Sequence, residues 1–240
     1  MPRPRHQPDS DDALSREKIA QAALDQLDAR GLANFSLRDV ARALGVYPTA
    51  IYWHVRNRNQ LLADACALAL SRIVPTRGKR RGAEWLRELF RRYRAVMKRH
   101  PNLAHLVGGQ LLSNASLDTA MVEGVLVALE DMGCPDSYIP QAYNCVIAAM
   151  CGFPTLEFAQ APAEDADSWA AELQQRVKRI PALAHPVLAR HLPALANRAF
   201  ILRWQGGNEQ PMDDSFESHV DIFLDGLQRC IGQYRAAGPG

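Results

Sequence analysis

Apolar positions recur at three- and four-residue spacings from Ile19 to Tyr234, the period of helices that bury one face. Ser15 can cap the first helix, in which Ile19, Ala23 and Leu27 repeat every four residues until Gly31 stops it. Ser36 with Asp39 three residues on reads as a capping box, and Leu37, Val40, Ala41 and Leu44 follow at helical spacing. Gly45 then supplies the positive φ that closes a helix. After one turn another helix begins, with Pro48 early in it and Ile51 and Val55 facing inward. Small Ala41 lets the two helices cross, Gly45 makes the turn and β-branched Ile51 fills the crossing, a helix-turn-helix. A fourth helix, capped by Asn59, carries Leu61, Leu62, Ala65, Leu68 and Ala69 toward Ile73.

Pro75 to Gly82, PTRGKRRG, interrupts the pattern as a basic linker. Beyond it Trp85, Leu89, Phe90, Tyr93, Val96 and Met97 form one side of a helix whose other side is a stripe of Arg87, Arg91, Arg94 and Lys98. That stripe reads as a solvated face with some long-range pull on phosphate. Ser116 can cap a helix that ends at Met132-Gly133. From Asp136 to about Gln160 a long helix is apolar almost all round, so it must be covered on most sides, and Pro154 should kink it. Shorter helices follow over Trp169 to Ile180 and His185 to Ala199. In the last helix Asp214 and Glu217 read as a capping box, and Phe216, Val220, Phe223, Leu227, Cys230 and Tyr234 follow at spacings of 4, 3, 4, 3 and 4. Ile222, Leu224 and Ile231 widen that seam, leaving an apolar surplus that suits a partner helix across a two-fold axis or a simply buried terminal helix.

The fold class is therefore all-α, an N-terminal three-helix helix-turn-helix domain followed by a larger helical domain. The expected divisions are a disordered leader at 1–13, the helix-turn-helix at 14–60, a connecting helix and linker at 61–82, and the C-terminal domain at 83–240. With 240 residues, 48% of them hydrophobic, a sizeable core can form. No apolar run reaches the ~18 residues of a membrane span, and MPRPRHQPDSDD has no apolar core for export, so a cytoplasmic protein that avoids the membrane is expected. Five cysteines without a C-x-x-C pairing suit reduced, buried thiols, with redox sensing by Cys145 and Cys151 as the alternative. A net charge of +2 says little, because DNA binding depends on where charge sits.

The outer face of the second helix of the motif carries Tyr47, Thr49, Ala50, Tyr52, Trp53 and His54, none needed to bury Ile51 and Val55. A helix ~10–12 Å across fits a major groove ~12 Å wide, so these groups can meet bases and phosphates. The alternative is that the rings, Trp53 above all, bury against neighbouring helices. In the C-terminal region His105, Gln110, Asn114 and Asn144 are polar groups within apolar segments, near Trp85, Phe90, Tyr93, Tyr143 and Phe153 in helical order. Such a set suits a pocket for a small organic effector, or else a set of ordinary core and surface groups.

The stretch LSREKIAQAALDQLDARGLANFSLRDVARALGVYPTAIYWHVRNRNQLLADAC resembles the DNA-binding domain of the tetracycline-repressor (TetR) family, and YWHVRNRNQLL is similar to the branch containing the tetracycline repressor. The resemblance implies that Arg38 reads a base, that Thr49, Ala50 and Tyr52 face the groove, and that His54 and Arg58 lie on phosphate. It also implies a homodimer built from helices at about 137–160 and 214–234, through residues such as Tyr138, Val146, Met150, Phe216, Val220, Phe223, Leu227 and Tyr234. A dimer sets its readers about one DNA turn, ~34 Å, apart, so the partner is double-stranded DNA with a palindromic operator. YPTA departs from the glutamine-proline of the tetracycline repressor, which implies a different operator.

The expected function is a dimeric repressor released from its operator by a small-molecule effector. A DNA-binding dimer without an effector is the alternative. No glycine-rich phosphate loop, metal-ligand spacing or nucleophile elbow occurs, which argues against an enzyme, a cofactor or a metal.

Overall fold

The computed structural model describes residues 14–109, 118–160 and 166–237. The chain folds as two compact units, one ending at Ser71 and one beginning at Arg72. The leader 1–13, Ser116, Gln110 and Asn114 lie outside the described residues, as does the side chain of His105.

In the first unit α1 spans Arg16–Arg30, α2 Leu37–Ala43, α3 Pro48–Tyr52 and α4 Arg58–Leu70. Ser15 caps α1 by accepting from the Lys18 N–H, and Gly31, at φ 71°, ends it. Ile19, Ala23 and Leu27 are fully buried, together with Val40, Ala41, Ile51, Leu61 and Ala65. Asn57, rather than Asn59, caps α4: its side chain accepts from the Gln60 N–H at 2.9 Å. α4 packs chiefly on α1, and Arg16 reaches across to Asp64 with two hydrogen bonds of 2.8 and 2.7 Å. The helix that spacing assigned to a connecting segment thus completes the core of the first unit. Its apolar positions supply a face that the three short helices before it need.

In the second unit α5 runs Gly82–Arg99, α6 Pro101–Gly109, α7 Thr119–Asp131, α8 Ile139–Glu157, α9 Ala166–Lys178, α10 Pro186–Leu195 and α11 Asp213–Ala237. α5 and α8 are central: α5 packs on α6, α7, α8 and α11, and α8 on α6, α7 and α11. Trp85 shows how tightly α5 meets α7. Its indole ring lies 2.4 Å from where a side chain on Gly124 would begin, and its N–H donates to the Pro75 carbonyl at 3.0 Å.

Three of the four cations of the α5 stripe are paired with acids of α11, while Lys98 is exposed. Arg87 meets Asp221 at 2.6 Å, Arg91 meets Glu217 at 2.6 Å and Arg94 meets Asp213 at 2.7 Å. As the number on α5 rises by a turn, that on α11 falls by a turn, so the helices run antiparallel with one ion pair per turn. Glu217 is taken up by Arg91, which leaves no capping box with Asp214; α11 begins at Asp213. Arg94 also grips Glu157 through two bonds of 2.8 and 2.7 Å, and the Glu157 side chain is wholly buried. Burial alone would lower the basicity of Arg94, but its hydrogen bonds to Glu157 and Asp213 reverse the effect and raise it.

α8 is preceded by a 3-10 turn at Asp136–Tyr138 and continues through Pro154 to Glu157. It is covered on less of its surface than its composition suggested: Gln141, Asn144, Cys145, Ala148, Gly152 and Leu156 form an exposed strip. On α11 the buried positions are Phe216, Val220, Leu224, Leu227 and Ile231, while Ile222 is 74% exposed.

Candidate DNA-reading surface and effector region

The reading surface is assembled by a turn that only a few residue types can make. After α2 the chain reverses at Gly45, φ 67°, where an L side chain is strained, and the Val46 N–H returns to the Ala41 carbonyl at 3.0 Å. Tyr47 is extended and Pro48 starts α3 in a position whose N–H would go unused. Ile51 and Val55, 0% and 2% exposed, fasten α3 to the core.

With that face anchored, the opposite one points outward. Tyr47 is 84% exposed, Tyr52 57% and Trp53 88%, so none of these rings buries against a neighbouring helix. Thr49 is exposed, Ala50 and His54 are half-exposed, and Arg38 stands exposed in the first turn of α2. Three large aromatic side chains left in water within seven residues mark a surface made for contact.

Ser36 holds the start of α2 in a way that differs from a reciprocal capping box. Its hydroxyl oxygen accepts from the Asp39 N–H at 3.2 Å while its O–H donates to the Asp39 carboxylate at 2.8 Å. That hydrogen bond, helped by Arg42 and Arg30, holds the Asp39 carboxyl below its ordinary range, against a smaller upward push from desolvation.

Arg58 is exposed and is also engaged within its own unit. Its guanidinium donates to the carbonyls of Leu32, at 2.9 Å, and Phe35, and lies over the Phe35 ring, 5.5 Å from its centre. It ties α4 to the loop between α1 and α2. The sequence showed a cation at the head of a helix; it did not show two loop carbonyls within reach of it, one of which, that of Leu32, also accepts from the Phe35 N–H.

The residues expected to line an effector pocket are dispersed. Trp85, Phe90 and Tyr93 are core side chains, 3%, 1% and 1% exposed, and Phe90 stacks on Phe223 with centroids 5.6 Å apart. Phe153 sits in a cluster with Phe200, Phe216 and His219. Tyr143 is half-buried, and desolvation pushes its phenol up. Asn144 faces solvent on the outer strip of α8. Burial likewise pushes the Cys66 thiol up to about 12 and raises that of Cys151, so neither is poised as a thiolate.

The expected dimer residues also part company. Tyr138, Val146, Met150, Phe216, Val220 and Leu227 are buried inside their own subunit. Phe223 is half-buried against Phe90, and Tyr234, 49% exposed, stacks on Tyr138 with centroids 3.9 Å apart. A seam of threes and fours marks the face that a helix turns to its own core first. The residues left for a partner are those beside it.

Among the described residues no three His, Cys, Asp or Glu side chains group as a metal site, and no helix is long and apolar enough to cross a membrane.

Residues 19–65 match the family described as bacterial regulatory proteins, tetR family, and residues 74–231 match the tetracyclin repressor-like C-terminal domain. The HTH-type transcriptional repressor DrrR1 of Streptomyces coeruleorubidus is 26% identical over 231 residues, 92% of this chain and 80% of that protein. The crystal structure of ActR from Streptomyces coelicolor in complex with actinorhodin has the same fold, with a TM-score of 0.70 at 24% identity over 92% of this chain and 99% of that one. BioQ, also solved from Mycobacterium smegmatis, in complex with its double-stranded DNA operator gives a TM-score of 0.55 at 28% identity, covering 67% of this chain and 95% of that one.

Proposed function

Because the chain belongs to the tetracycline-repressor (TetR) family of bacterial regulatory proteins, we propose that it is a homodimeric transcriptional repressor that binds a palindromic operator and is released by a small-molecule effector. The observation that carries the DNA-binding part is the outward face of α3, where Tyr47, Tyr52 and Trp53 are exposed while Ile51 and Val55 are locked inside. The unit up to Ser71 is the reader, and the unit from Arg72 dimerises and takes the effector. Tyr47, Thr49, Ala50, Tyr52, Trp53 and His54 serve α3 in the major groove, with Arg38 alongside on α2.

The dimer face combines the exposed strip of α8, with Cys145, Ala148 and Gly152, and the neighbouring face of α11, with Ile222, half-buried Gly226 and Tyr234. Small residues on both helices allow close approach, and Ile222 is the apolar group that gains most from being covered. ActR has been solved in complex with actinorhodin and BioQ with its double-stranded DNA operator, which supports both halves of the reading. A ligand releases DNA only if it binds the free form better, and ~1–3 kcal/mol of such coupling is usual.

A second reading, a DNA-binding dimer with no effector, gains from Trp85, Phe90 and Tyr93 filling the core. Selection of bound fragments from the source genome by the purified protein tests both. Recovery of one or a few palindromes, with half-sites ~34 Å apart, supports the regulator; recovery of random, salt-sensitive fragments alone refutes sequence-specific repression. Compounds that displace the selected operator then separate the effector reading from the second one.

A further inference from the structure

A cleft of about 300 Å³ opens in the second unit where the end of α8, α9 and the segment 200–206 meet. Its walls include Leu156, Trp169, Leu173, Phe200 and Trp204, and Arg203 and Glu157, the latter paired with Arg94, contribute to its lining. None of these belongs to the aromatic core around Trp85.

Arg203 is the unusual member. It is 7% exposed, and its hydrogen bonds go to the carbonyls of Gln205 at 3.2 Å, Gln210 at 3.0 Å and Glu157, and to the Met212 thioether. All of these acceptors are neutral. The Glu157 carboxylate that would otherwise answer it is gripped by both nitrogens of Arg94 and by the Met212 N–H. Desolvation accordingly holds the Arg203 guanidinium below its ordinary value, with Glu157 and Glu209 offsetting only part of the effect. A buried cation whose direct partners are neutral is stabilised by any anion brought to it.

The rest of the cleft decides what kind of anion fits. Trp169 and Trp204 are half-exposed and offer flat π-faces, while Leu156 and Phe200 add apolar surface. The volume lies at the lower end of the ~300–1,000 Å³ of small-molecule sites, room for one or two fused rings. We propose that this cleft is a binding site for a small planar aromatic acid, its ring against Trp169 and Trp204 and its anionic oxygen on Arg203. Its consequence at the operator rests on the effector-controlled reading above; its existence as a site does not.

The test uses the full-length protein with 15N-labelled tryptophan, whose four indole N–H signals come from Trp53, Trp85, Trp169 and Trp204. Titration with 2-naphthoate should shift the Trp169 and Trp204 signals and leave those of Trp53 and Trp85 in place. Neutral 2-naphthalenemethanol should bind at least tenfold more weakly, and Arg203→Met should erase the difference. Because Arg203 also ties its own loop, Trp169→Ala is the companion variant: it removes one wall without touching that network and should weaken naphthoate at least tenfold. Unmoved Trp169 and Trp204 signals, equal binding of acid and alcohol, or full binding by Trp169→Ala would each overturn the proposal. A second copy covering the cleft would give the first of these. Operator binding measured on the same protein before naphthoate is added keeps the two readings apart. Protein that takes naphthoate but binds no operator in its absence refutes the regulator, and operator binding by protein that shows no naphthoate shifts refutes the cleft.

Discussion

Glu157→Gln removes the charge at the centre of the ion network that joins α5, α8 and α11. The Glu157 side chain is 0% exposed and that of Arg94 is 12% exposed, so the variant leaves a guanidinium in a site that solvent barely reaches. Losing one member of a buried pair costs ~3–5 kcal/mol. Arg94 keeps Asp213, but that carboxylate is 62% exposed and holds the cation through one bond, which places the expected loss near the low end, about 3 kcal/mol. For a unit of this size ~1 kcal/mol corresponds to ~2–4 °C, so the melting temperature of the second unit should fall by ~6–12 °C. The assay is thermal and urea unfolding of the full chain followed by circular dichroism, at fixed protein concentration because dimerisation contributes to stability.

The double variant Arg94→Met with Glu157→Met decides whether the reasoning is right. Replacing both buried charges by apolar side chains is often neutral or better, whereas removing one strands the other. The double variant should therefore be more stable than Glu157→Gln, with the Met212 N–H left unanswered as its main residual cost. A single variant within ~1 kcal/mol of the parent, or a double variant worse than the sum of its parts, would show that water or another carboxylate already serves Arg94.

Arg38→Ala or Tyr52→Ala should relax sequence preference by ~1–3 kcal/mol for each lost base contact, measured by anisotropy on operator and scrambled duplexes; equal losses on both would remove these residues from the readers. Arg58→Ala should lower the stability of the N-terminal unit by ~1.5–3 kcal/mol while leaving the salt dependence of DNA binding unchanged, and a slope shallower by ~1 would put the side chain on phosphate instead. Ile222→Asp should weaken the dimer by a hundredfold or more in sedimentation equilibrium, since ~1.5–3 kcal/mol per buried isoleucine is lost twice across a two-fold axis; an unchanged dimer would place the interface elsewhere. For Asp39 the folded pKa is depressed, so its contribution is complete above the ordinary carboxylate range and is lost as pH falls through the lowered value. Ser36→Ala should move the Asp39 midpoint upward in an NMR titration between about pH 2 and pH 6, and an unmoved midpoint would assign the depression to the arginines.

The reading unit was legible because local chemistry dictates it. Ser15, Gly31 and Gly45 end or begin helices through their own backbone preferences, and Ala41 and Ile51 report a helix crossing by size alone. Cap identity was less secure: Asn57 and Asn59 flank the same helix start, and only the geometry of the Gln60 N–H chooses between them. The partners of Arg58 were not legible for a different reason. Its partners, Leu32 and Phe35, lie 26 and 23 residues earlier in loop backbone, where the sequence pattern does not show which carbonyls a distant side chain will reach.

In the second unit the sequence gives stripes and withholds their partners. The arginines of α5 and the acids Asp213, Glu217 and Asp221 are each spaced by one turn, yet only the antiparallel packing of α5 on α11 turns two charged faces into three ion pairs. The same packing explains why most of the expected dimer residues are buried within the chain. Phe216, Val220 and Leu227 form a regular seam, and since α11 must lie on α5 for its acids to meet the arginines, that seam is spent inside the subunit. What remains is the irregular set with Ile222, Gly226 and Tyr234, next to the small-residue strip of α8. Periodicity ranks those positions low because they mix small, aromatic and apolar residues. That mixture is nevertheless what a second helix pair needs, small residues for approach and a few apolar groups to be covered. In a helix that serves both a core and a partner, the most regular apolar face is therefore assigned to the core, and the interface is sought in the less regular face beside it.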